Sequence, residues 1–390
     1  MNFIYISPQF PKTNWYFCDW LSKNGVRVLG IGDTPYDQLD PLLKNALVEY
    51  YYVPSMESYA DMFRAVAYYA FKYGRIDWIE SNNEYWLEQD AKLREDFNVK
   101  TGVQPSHIAY FKSKYKMKEK YREANIPSAA SIRYTDLETA KKWADSIGYP
   151  LIAKPETGVG ASDVFKLKNE DDLRSFDANK PQEEYILEEF IEGDIVSYDA
   201  IVNDKGEPIF ESMTYWPPSI ADIVNQDLDL AYYVSPELDP ELKTLGQNAI
   251  QAFHAYSRFI HLEFFKTKRK NTYYGLEVNM RPAGGYTPDM MNFAHSVDVY
   301  QIYADMVTKK QPVANQEASQ SYCVYASQKD GKPYLHSHDK ILERYKDKLV
   351  MCERMPEMMV RTMGNQMYTV KLDTREEKDA FIQYVLDQAE

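Results

Sequence analysis

Two neighbouring apolar runs near the end of the second third of the chain carry the residues with the clearest chemistry. Residues two apart on an extended strand point to the same face, so Glu277, Asn279 and Arg281 form one row. Mg²⁺ takes one or two carboxylates and leaves its other positions to water and phosphate. Glu263, on the preceding run, can supply the second carboxylate from a paired strand. Taken alone, Glu277 and Arg281 fit a weak surface ion pair about equally well.

A lysine and a small-residue loop suggest a phosphate site. Lys154 ends an apolar strand, and the loop at 157–162 follows it with Gly158, Gly160 and Ser162. Backbone N–H groups in such a loop can form a concave anion site, although a hairpin turn would explain the same glycines and is the better explanation of the loop alone. A lysine on an apolar strand must reach solvent or meet an anion, and the neighbouring loop favours the anion.

Two further features have ordinary alternatives. Lys114 lies within a run of alternating lysines at 112–120, which is typical of a solvated helix face, so nothing in the pattern singles it out. Glu188 and Phe190 lie at the end of an apolar strand that could serve as a hinge, where backbone groups read an adenine edge. An ordinary core strand with an acidic end fits equally.

Composition limits the classes of function. The chain has 390 residues, of which 44% are hydrophobic and 27% charged, which indicates a globular protein of two or three domains. A net charge of −14 repels a phosphate backbone, so we expect no nucleic-acid partner. The three cysteines lack metal or disulfide spacing. No stretch has the ~18 apolar residues of a membrane span, which predicts no membrane association and a cytoplasmic protein.

The elements that must position these residues begin with alternating strands and helices over the first hundred residues, which predict a Rossmann-like parallel sheet. The turn after its first strand lacks glycines, which excludes a dinucleotide site of the NAD type. A boundary is expected near 101–105, and an α+β segment begins at about 314. The irregular stretch at 214–240 is typical of a binding loop or lid.

Taken in this order, the elements resemble the ATP-grasp superfamily of ATP-dependent ligases, which includes biotin carboxylase and the L-amino-acid ligases. The resemblance covers nearly the whole chain and implies a fold of the α/β and α+β classes. It implies a Rossmann-like pre-ATP-grasp domain at 1–104, a two-lobed ATP-grasp domain at 105–313 with lobes of about 105–183 and 184–313, and a small C-terminal α+β subdomain at 314–390.

The resemblance also implies a role for each candidate residue. Arg281 would be catalytic, holding the transferring phosphoryl group. Asp194 would contact the ribose, although the residues after it depart from the usual pattern. The other roles are the metal ligands Glu263, Glu277 and Asn279, the phosphate lysines Lys114 and Lys154, the loop residues Gly158, Gly160 and Ser162, and the adenine contacts Glu188, Phe190 and Ile191.

The activity implied is ATP-dependent activation of a small-molecule carboxylate as an acyl phosphate, followed by coupling to an amine. ATP and Mg²⁺ are the expected cofactors, with Mn²⁺ as a substitute, and a homodimer is left open. Two alternatives stay open as well: an ATP-binding sensor without catalysis, and a ligase that uses a thiol or another nucleophile. Residues 284–286 and Tyr232 and Tyr233 are candidates for the acceptor pocket, although chance explains any single aromatic residue here equally well.

Overall fold

A computed structural model describes residues 1–158, 163–217, 227–269, 271–310 and 320–388 of the chain. One parallel and two antiparallel β-sheets organise these residues, and helices pack against the sheets. The mixed α/β class predicted from the sequence is therefore confirmed. No helix in the described ranges has both the length and the apolar character that crossing a membrane requires.

The first sheet is parallel, as the alternation of strands and helices predicts. Its central strand is buried along its whole length, because helices cover both faces of a parallel sheet. The strands are β1 (Asn2–Ile6), β2 (Arg27–Gly32), β3 (Glu49–Tyr52) and β4 (Trp78–Glu80), in the spatial order β3-β2-β1-β4. The helices are α1 (Asn14–Lys23), α2 (Pro41–Ala46), α3 (Tyr59–Tyr73) and α4 (Leu87–Asp96).

Helix α2 is missing from the prediction, although its start signal is present in the sequence. Asp40 accepts a hydrogen bond from the Leu42 amide at 2.7 Å, and Pro41 occupies the first turn. Helix α3 ends before Gly74, which adopts a φ of +83° that other residues rarely adopt. A helix of six residues is too short to show a clear hydrophobic periodicity, which explains the omission of α2.

The second sheet is antiparallel and has helices on one face. Because side chains alternate along β6 (Leu151–Pro155), Leu151 and Ala153 pack against those helices while Lys154 lies on the opposite face. The other strands are β5 (Ser131–Arg133), β7 (Phe165–Leu167) and β8 (Tyr185–Glu189), in the order β5-β8-β6-β7. The helices of this region are α5 (Pro105–Lys112), α6 (Lys114–Glu123), α7 (Leu137–Ile147) and α8 (Glu170–Asn179).

The third sheet has eight antiparallel strands. They are β9 (Gly193–Val202), β10 (Pro208–Trp216), β11 (Ala231–Val234), β12 (Arg258–Thr267), β13 (Tyr273–Asn279), β14 (Tyr322–Gln328), β15 (Leu349–Arg354) and β16 (Gln366–Leu372). Their spatial order is β13-β12-β9-β10-β11-β14-β16-β15. The helices are α9 (Pro240–Phe253), α10 (Thr287–His295), α11 (Val299–Thr308), α12 (His338–Tyr345), α13 (Glu357–Met363) and α14 (Arg375–Leu386).

The prediction of an irregular stretch at 214–240 is wrong in part. Strand β10 continues to Trp216, and β11 pairs with β10 and β14 inside this stretch. The four residues of β11 are aromatic, β-branched or small, which suits a strand. So short a strand is difficult to recognise in the sequence, because prolines on both sides indicate loops. Residues 218–226 lie outside the described part of the chain.

The domain limits at 104/105 and 313/314 stay predictions. The first sheet ends well before the first limit. The second limit separates strands of one sheet, because Ala231 of β11 pairs with Ala326 of β14. The C-terminal strands therefore extend the eight-stranded sheet.

Buried charges join the first sheet to the eight-stranded sheet. Glu80 of β4 accepts from Arg94 of α4 at 2.9 Å and lies 3.4 Å from Arg258 of β12. All three side chains are almost fully buried. Arg258 also donates to the backbone carbonyl of Met280, the residue between Asn279 and Arg281. This ion cluster therefore ties the end of β13 to the N-terminal sheet.

Candidate functional site

The two candidate metal carboxylates face each other across neighbouring strands. In the pairing of β12 with β13, Glu263 lies directly opposite Glu277 and His261 directly opposite Asn279. Directly opposed residues have Cβ atoms roughly 5 Å apart. The pairing expected between the strands of Glu263 and Glu277 is therefore present, and the role of Glu263 as a metal ligand stays a prediction. About a quarter of the Glu263 side chain stays exposed, so a ligand can reach it.

The pKa values of the two carboxyl groups shift in opposite directions. Burial raises the pKa of Glu277, the neighbouring Glu263 carboxylate raises it further, and Lys114 and Lys154 oppose the shift. Burial also acts to raise the pKa of Glu263, but His261, Arg281 and Lys154 outweigh it and hold that pKa below its ordinary value. Two carboxylates that repel each other and face several cations form a site that a divalent cation would stabilise.

Lys154 lies where its charge acts on both carboxylates. Its Nζ forms an ion pair with Glu188 Oε2 at 2.8 Å, and its side chain is nearly buried. Glu188 sits on β8 beside β6, and Lys118 Nζ lies 3.2 Å from its other oxygen. Burial acts to raise the pKa of Glu188, but Lys154 and Lys118 hold it below its ordinary value. The phosphate lysine and the adenine-contact residue predicted from the sequence are therefore neighbours.

Only the tertiary structure distinguishes Lys114 from the other lysines of the 112–120 run. It is the first residue of α6, and its Nζ donates to the Gly158 carbonyl at 3.1 Å. Burial lowers the pKa of Lys114, while the nearby Glu277 carboxylate opposes that shift. Lys118 lies one helical turn further on, on the same side of α6. Its role beside Glu188 is missed by the sequence analysis, although the spacing of four from Lys114 is a usable signal.

The predicted phosphate loop is described only in part. Gly158 has a φ of +123°, which favours glycine, and open space lies where a Cβ would point. Gly160 and Ser162 lie outside the described residues. The contact of Lys114 with the Gly158 carbonyl brings the start of this loop to the N-terminus of α6.

The remaining adenine and ribose candidates lie after β8. Phe190 and Ile191 are partly exposed, and Lys166 Nζ lies 3.7 Å from the centre of the Phe190 ring. Asp194, the candidate for the ribose, is half exposed, with Lys268 Nζ 3.9 Å from its carboxylate. Their roles toward a nucleotide stay predictions.

Arg281 lies just beyond the end of β13. Its Nη1 donates to the Pro282 carbonyl at 2.8 Å, and its Nη2 lies 3.5 Å from the Asn279 side-chain oxygen. The charge of Arg281 also lowers the pKa of Glu263. The guanidinium therefore acts on the Glu263 carboxylate.

The N-terminal region contributes a residue that sequence analysis missed. Glu84 accepts a hydrogen bond from the Met280 amide at 3.3 Å, and Lys112 Nζ donates to the Glu84 carbonyl at 2.7 Å. The Glu84 carboxylate also raises the pKa of Glu277. A third carboxylate therefore borders the site, and no local pattern in the sequence indicates it.

A second missed residue, His261, lies between two carboxylates. Its Nδ1 is 2.7 Å from Asp199 Oδ1, and its Nε2 is 3.1 Å from Glu263 Oε1. Burial acts to lower the pKa of His261, but Asp199 and Glu263 raise it to about 9. The ring therefore donates to both carboxylates at neutral pH. The sequence signal is its alternation with Glu263 on one strand face.

The two tyrosines suggested for an acceptor pocket lie on opposite faces of the eight-stranded sheet. The Tyr232 ring stacks between Trp216 and Tyr325, and its hydroxyl lies 3.8 Å from where a Cβ would stand on Gly285. Tyr233 points to the opposite face of the sheet, where it stacks on Tyr215.

The donor set suits Mg²⁺ held together with a nucleotide. In the described ranges, no three or more His, Cys, Asp and Glu side chains form a complete metal cage. Mg²⁺ bound to phosphates needs only one or two carboxylates, and Glu263 and Glu277 meet that requirement. The buried Asn279 Nδ2 is an N–H donor with no hydrogen-bond partner in the described part, which suits an acceptor such as a phosphate oxygen. The residues present therefore fit the ion.

The comparisons with known sequences find one domain and one distant relative. Residues 111–214 match the ATP-grasp domain family. An L-arginine-specific L-amino acid ligase of Bacillus subtilis is 25% identical over 250 residues. That match covers 62% of this chain and only 60% of the relative's own length.

Solved structures are similar over almost the whole chain. An L-amino acid ligase from Bacillus licheniformis has a TM-score of 0.73 at 15% identity, with 98% of this chain and 96% of that chain covered. A second similar structure is the biotin carboxylase domain dimer of a Hydrogenobacter thermophilus 2-oxoglutarate carboxylase, in complex with MgADP, ADP and bicarbonate. Its TM-score is 0.70 at 15% identity, with 98% of this chain and 88% of that chain covered. N5-carboxyaminoimidazole ribonucleotide synthetase from Thermotoga maritima has a TM-score of 0.67 at 18% identity, with 99% of this chain and 98% of that chain covered. At these identities the likeness concerns the fold.

Proposed function

Because the chain has the ATP-grasp fold, we propose that it is an ATP-dependent carboxylate–amine ligase. The reaction activates a small-molecule carboxylate as an acyl phosphate and forms an amide, releasing ADP and phosphate. One observation carries the proposal: Glu263 and Glu277 face each other across paired strands, and the charges of nearby cations act to lower their pKa values. These cations are Lys114, Lys154 and Arg281. The names of the relatives, which include L-amino acid ligases, support the same reaction class.

The acidic pair and Asn279 are proposed to hold Mg²⁺. When bound, the ion neutralises charge on the ATP phosphates and polarises the γ-phosphoryl group. Lys114 and Lys154 offset phosphate charge from the other side, and Arg281 stabilises the charge that develops on the transferring group. Each residue acts by position and charge, so the chain needs no covalent nucleophile.

The nucleotide is proposed to lie between the second and third sheets. Glu188, Phe190 and Ile191 contact the adenine, and Asp194 contacts the ribose. Gly158, at the start of the predicted phosphate loop, is proposed to lie beside the phosphates, because Lys114 donates to its carbonyl at 3.1 Å. The ion pair of Lys154 with Glu188 supports this arrangement, because it brings a phosphate ligand next to the base-contacting strand.

The chemistry proceeds in two balanced steps. An oxygen of the substrate carboxylate attacks the γ-phosphorus, the bond to the bridging oxygen breaks, and ADP leaves. The amine nitrogen then attacks the acyl carbon, phosphate leaves with the electron pair of its C–O bond, and the nitrogen loses a proton. Arg281 is proposed to hold the phosphoryl group through both steps, and Glu84, at the border of the site, can interact with a cationic amine.

The substrates are proposed to be amino acids or small carboxylates. The relative from Bacillus subtilis is named for L-arginine, and it supports an amino acid as one substrate. Tyr232 and Gly285 are proposed to border the acceptor pocket. A homodimer is a further proposal, supported by the domain dimer among the similar structures. Dependence on ATP supports a cytoplasmic location.

The test is ADP release with a panel of amino acids and small carboxylates, each alone and in pairs, with Mg²⁺ and with EDTA. We expect ADP release that requires Mg²⁺ and a carboxylate, and an amide product by mass spectrometry. Hydroxylamine added in place of the amine traps an acyl phosphate as a hydroxamate. Glu277→Gln abolishes release, whereas Glu138→Gln, an exposed change on α7, leaves it intact. ATP binding without ADP release across the panel would indicate a sensor, and a thioester product a different acceptor.

A further inference from the structure

A buried series of hydrogen-bonded polar side chains runs along one face of the eight-stranded sheet to Glu263. Asp199 of β9 lies directly opposite His261 of β12, and Ser197 lies directly opposite Glu263. These residues share one face of the sheet, because they alternate along their strands. The distances are 2.7 Å from Asp199 Oδ1 to His261 Nδ1 and 3.1 Å from His261 Nε2 to Glu263 Oε1.

Asp199 is held in place at its second oxygen. Its Oδ2 accepts from Ser197 Oγ at 2.7 Å and from Thr214 Oγ1 at 3.3 Å, and Asp199 is fully buried. Trp216 Nε1 donates to the same Ser197 hydroxyl at 3.1 Å. A carboxylate with both oxygens engaged cannot rotate freely, so it fixes the plane and direction of the His261 ring.

The His261 ring in turn restricts Glu263. Both partners of the ring are carboxylates, which only accept hydrogen bonds, so each ring nitrogen donates. Glu263 Oε1 is therefore engaged by the ring, which restricts the rotation of the Glu263 carboxylate. Glu263 is partly exposed whereas His261 is almost completely buried, so these hydrogen-bonded side chains connect the protein core with the candidate site.

We propose that His261, backed by Asp199, is a positioning residue that orients the Glu263 carboxylate for Mg²⁺ and thereby sets the affinity for the metal–nucleotide complex. This inference rests on the proposed function, because Glu263 is a metal ligand only there. Partners that orient ligating groups typically change metal affinity about 10- to 100-fold when mutated. A histidine that served only the core would leave that affinity unchanged.

The experiment measures Mn²⁺ binding in the presence of ADP, from the loss of the free-Mn²⁺ electron paramagnetic resonance signal. This readout needs no turnover. We expect His261→Leu to raise the Mn²⁺ Kd by about 10- to 100-fold. The more conservative Asp199→Asn retains the shape of the side chain and should raise it by less. His295→Gln is the matched control, because His295 is a histidine near the same sheet whose Nε2 bonds to Ser212 at 2.8 Å instead of a metal ligand.

A second readout separates positioning from folding. If His261 sets metal affinity, ADP formation by His261→Leu recovers as Mg²⁺ is raised, whereas a merely structural defect lowers kcat at every Mg²⁺ concentration. Unchanged Mn²⁺ affinity in folded His261→Leu would overturn the proposal. If that variant does not fold, Asp199→Asn decides by the same measurement. A wild-type chain that binds no Mn²⁺ with ADP would instead contradict the metal site of the proposed function.

Discussion

The Lys154 ammonium and the Glu188 carboxylate form an ion pair of 2.8 Å between adjacent strands of the second sheet. Lys118 approaches the other oxygen of Glu188 to 3.2 Å, and all three side chains are nearly buried. One carboxylate therefore separates two cations. The pair holds the Lys154 ammonium in place before a nucleotide arrives, which preorganises it for phosphate.

Glu188→Gln should destabilise the protein by about 3–5 kcal/mol. The change removes the carboxylate and leaves two buried ammonium groups close together without compensation. Urea unfolding measures the loss. Glu183→Gln, an exposed change five residues before Glu188, is the control and should cost less than about 0.5 kcal/mol.

The double variant Glu188→Gln/Lys118→Met tests the stated cause. Removing one of the two lysines relieves the repulsion, so we expect part of the lost stability to return. A double variant as unstable as the sum of the single variants would show that the lysines do not act through Glu188.

Arg281→Lys should lower kcat by about 100-fold and leave the KM for ATP nearly unchanged. A lysine keeps the charge but loses the planar donor pair that a phosphoryl group accepts in the transition state. Steady-state ADP release gives both constants. Arg375→Lys is the control, because the ion pair of Arg375 with Asp379 at 3.8 Å is exposed. Equal kcat values for the wild type and Arg281→Lys would remove Arg281 from the reaction.

Glu80→Gln should destabilise the chain by about 3 kcal/mol and also reduce activity. The substitution leaves Arg94 and Arg258 buried with no anion between them. Arg258 supports the Met280 carbonyl beside Asn279, so the loss should extend to the metal affinity. Urea unfolding and Mn²⁺ titration test the two effects. A stable variant with normal Mn²⁺ affinity would show that the ion cluster does not support the site.

His295 should make the stability fall as the pH drops from about 6.5 towards 4. Burial lowers the pKa of His295 to about 4, so below its ordinary pKa of 6.5 the unfolded chain binds the proton more readily than the folded chain. At pH 5 this linkage costs about 2 kcal/mol.

His295→Gln should remove this contribution, because glutamine does not titrate and can still reach Ser212. Urea unfolding at pH 7.5 and pH 5 gives the difference for each protein. The loss between the two pH values should be smaller in the variant by about 2 kcal/mol. Equal losses in both proteins would mean that His295 takes up a proton in the folded state as readily as in the unfolded state.

The sequence by itself determines which residues carry the chemistry of the strands. Alternation along β12 and β13 predicts the row that holds Glu277 and Asn279, and the apolar strand before the loop predicts an anion partner for Lys154. The order of elements predicts the mixed class and the parallel N-terminal sheet. These features are local, because they depend on periodicities of two to four residues and on neighbouring turn residues.

Only the tertiary structure decides which distant residues meet. His261 and Asp199 are 62 positions apart and Glu84 and Met280 are 196 apart, and no short pattern encodes such contacts. Lys114 looks like its neighbouring lysines until the fold brings it to Gly158 and near Glu277. Strand register and helix packing fix these contacts, because they depend on burial summed over the whole chain.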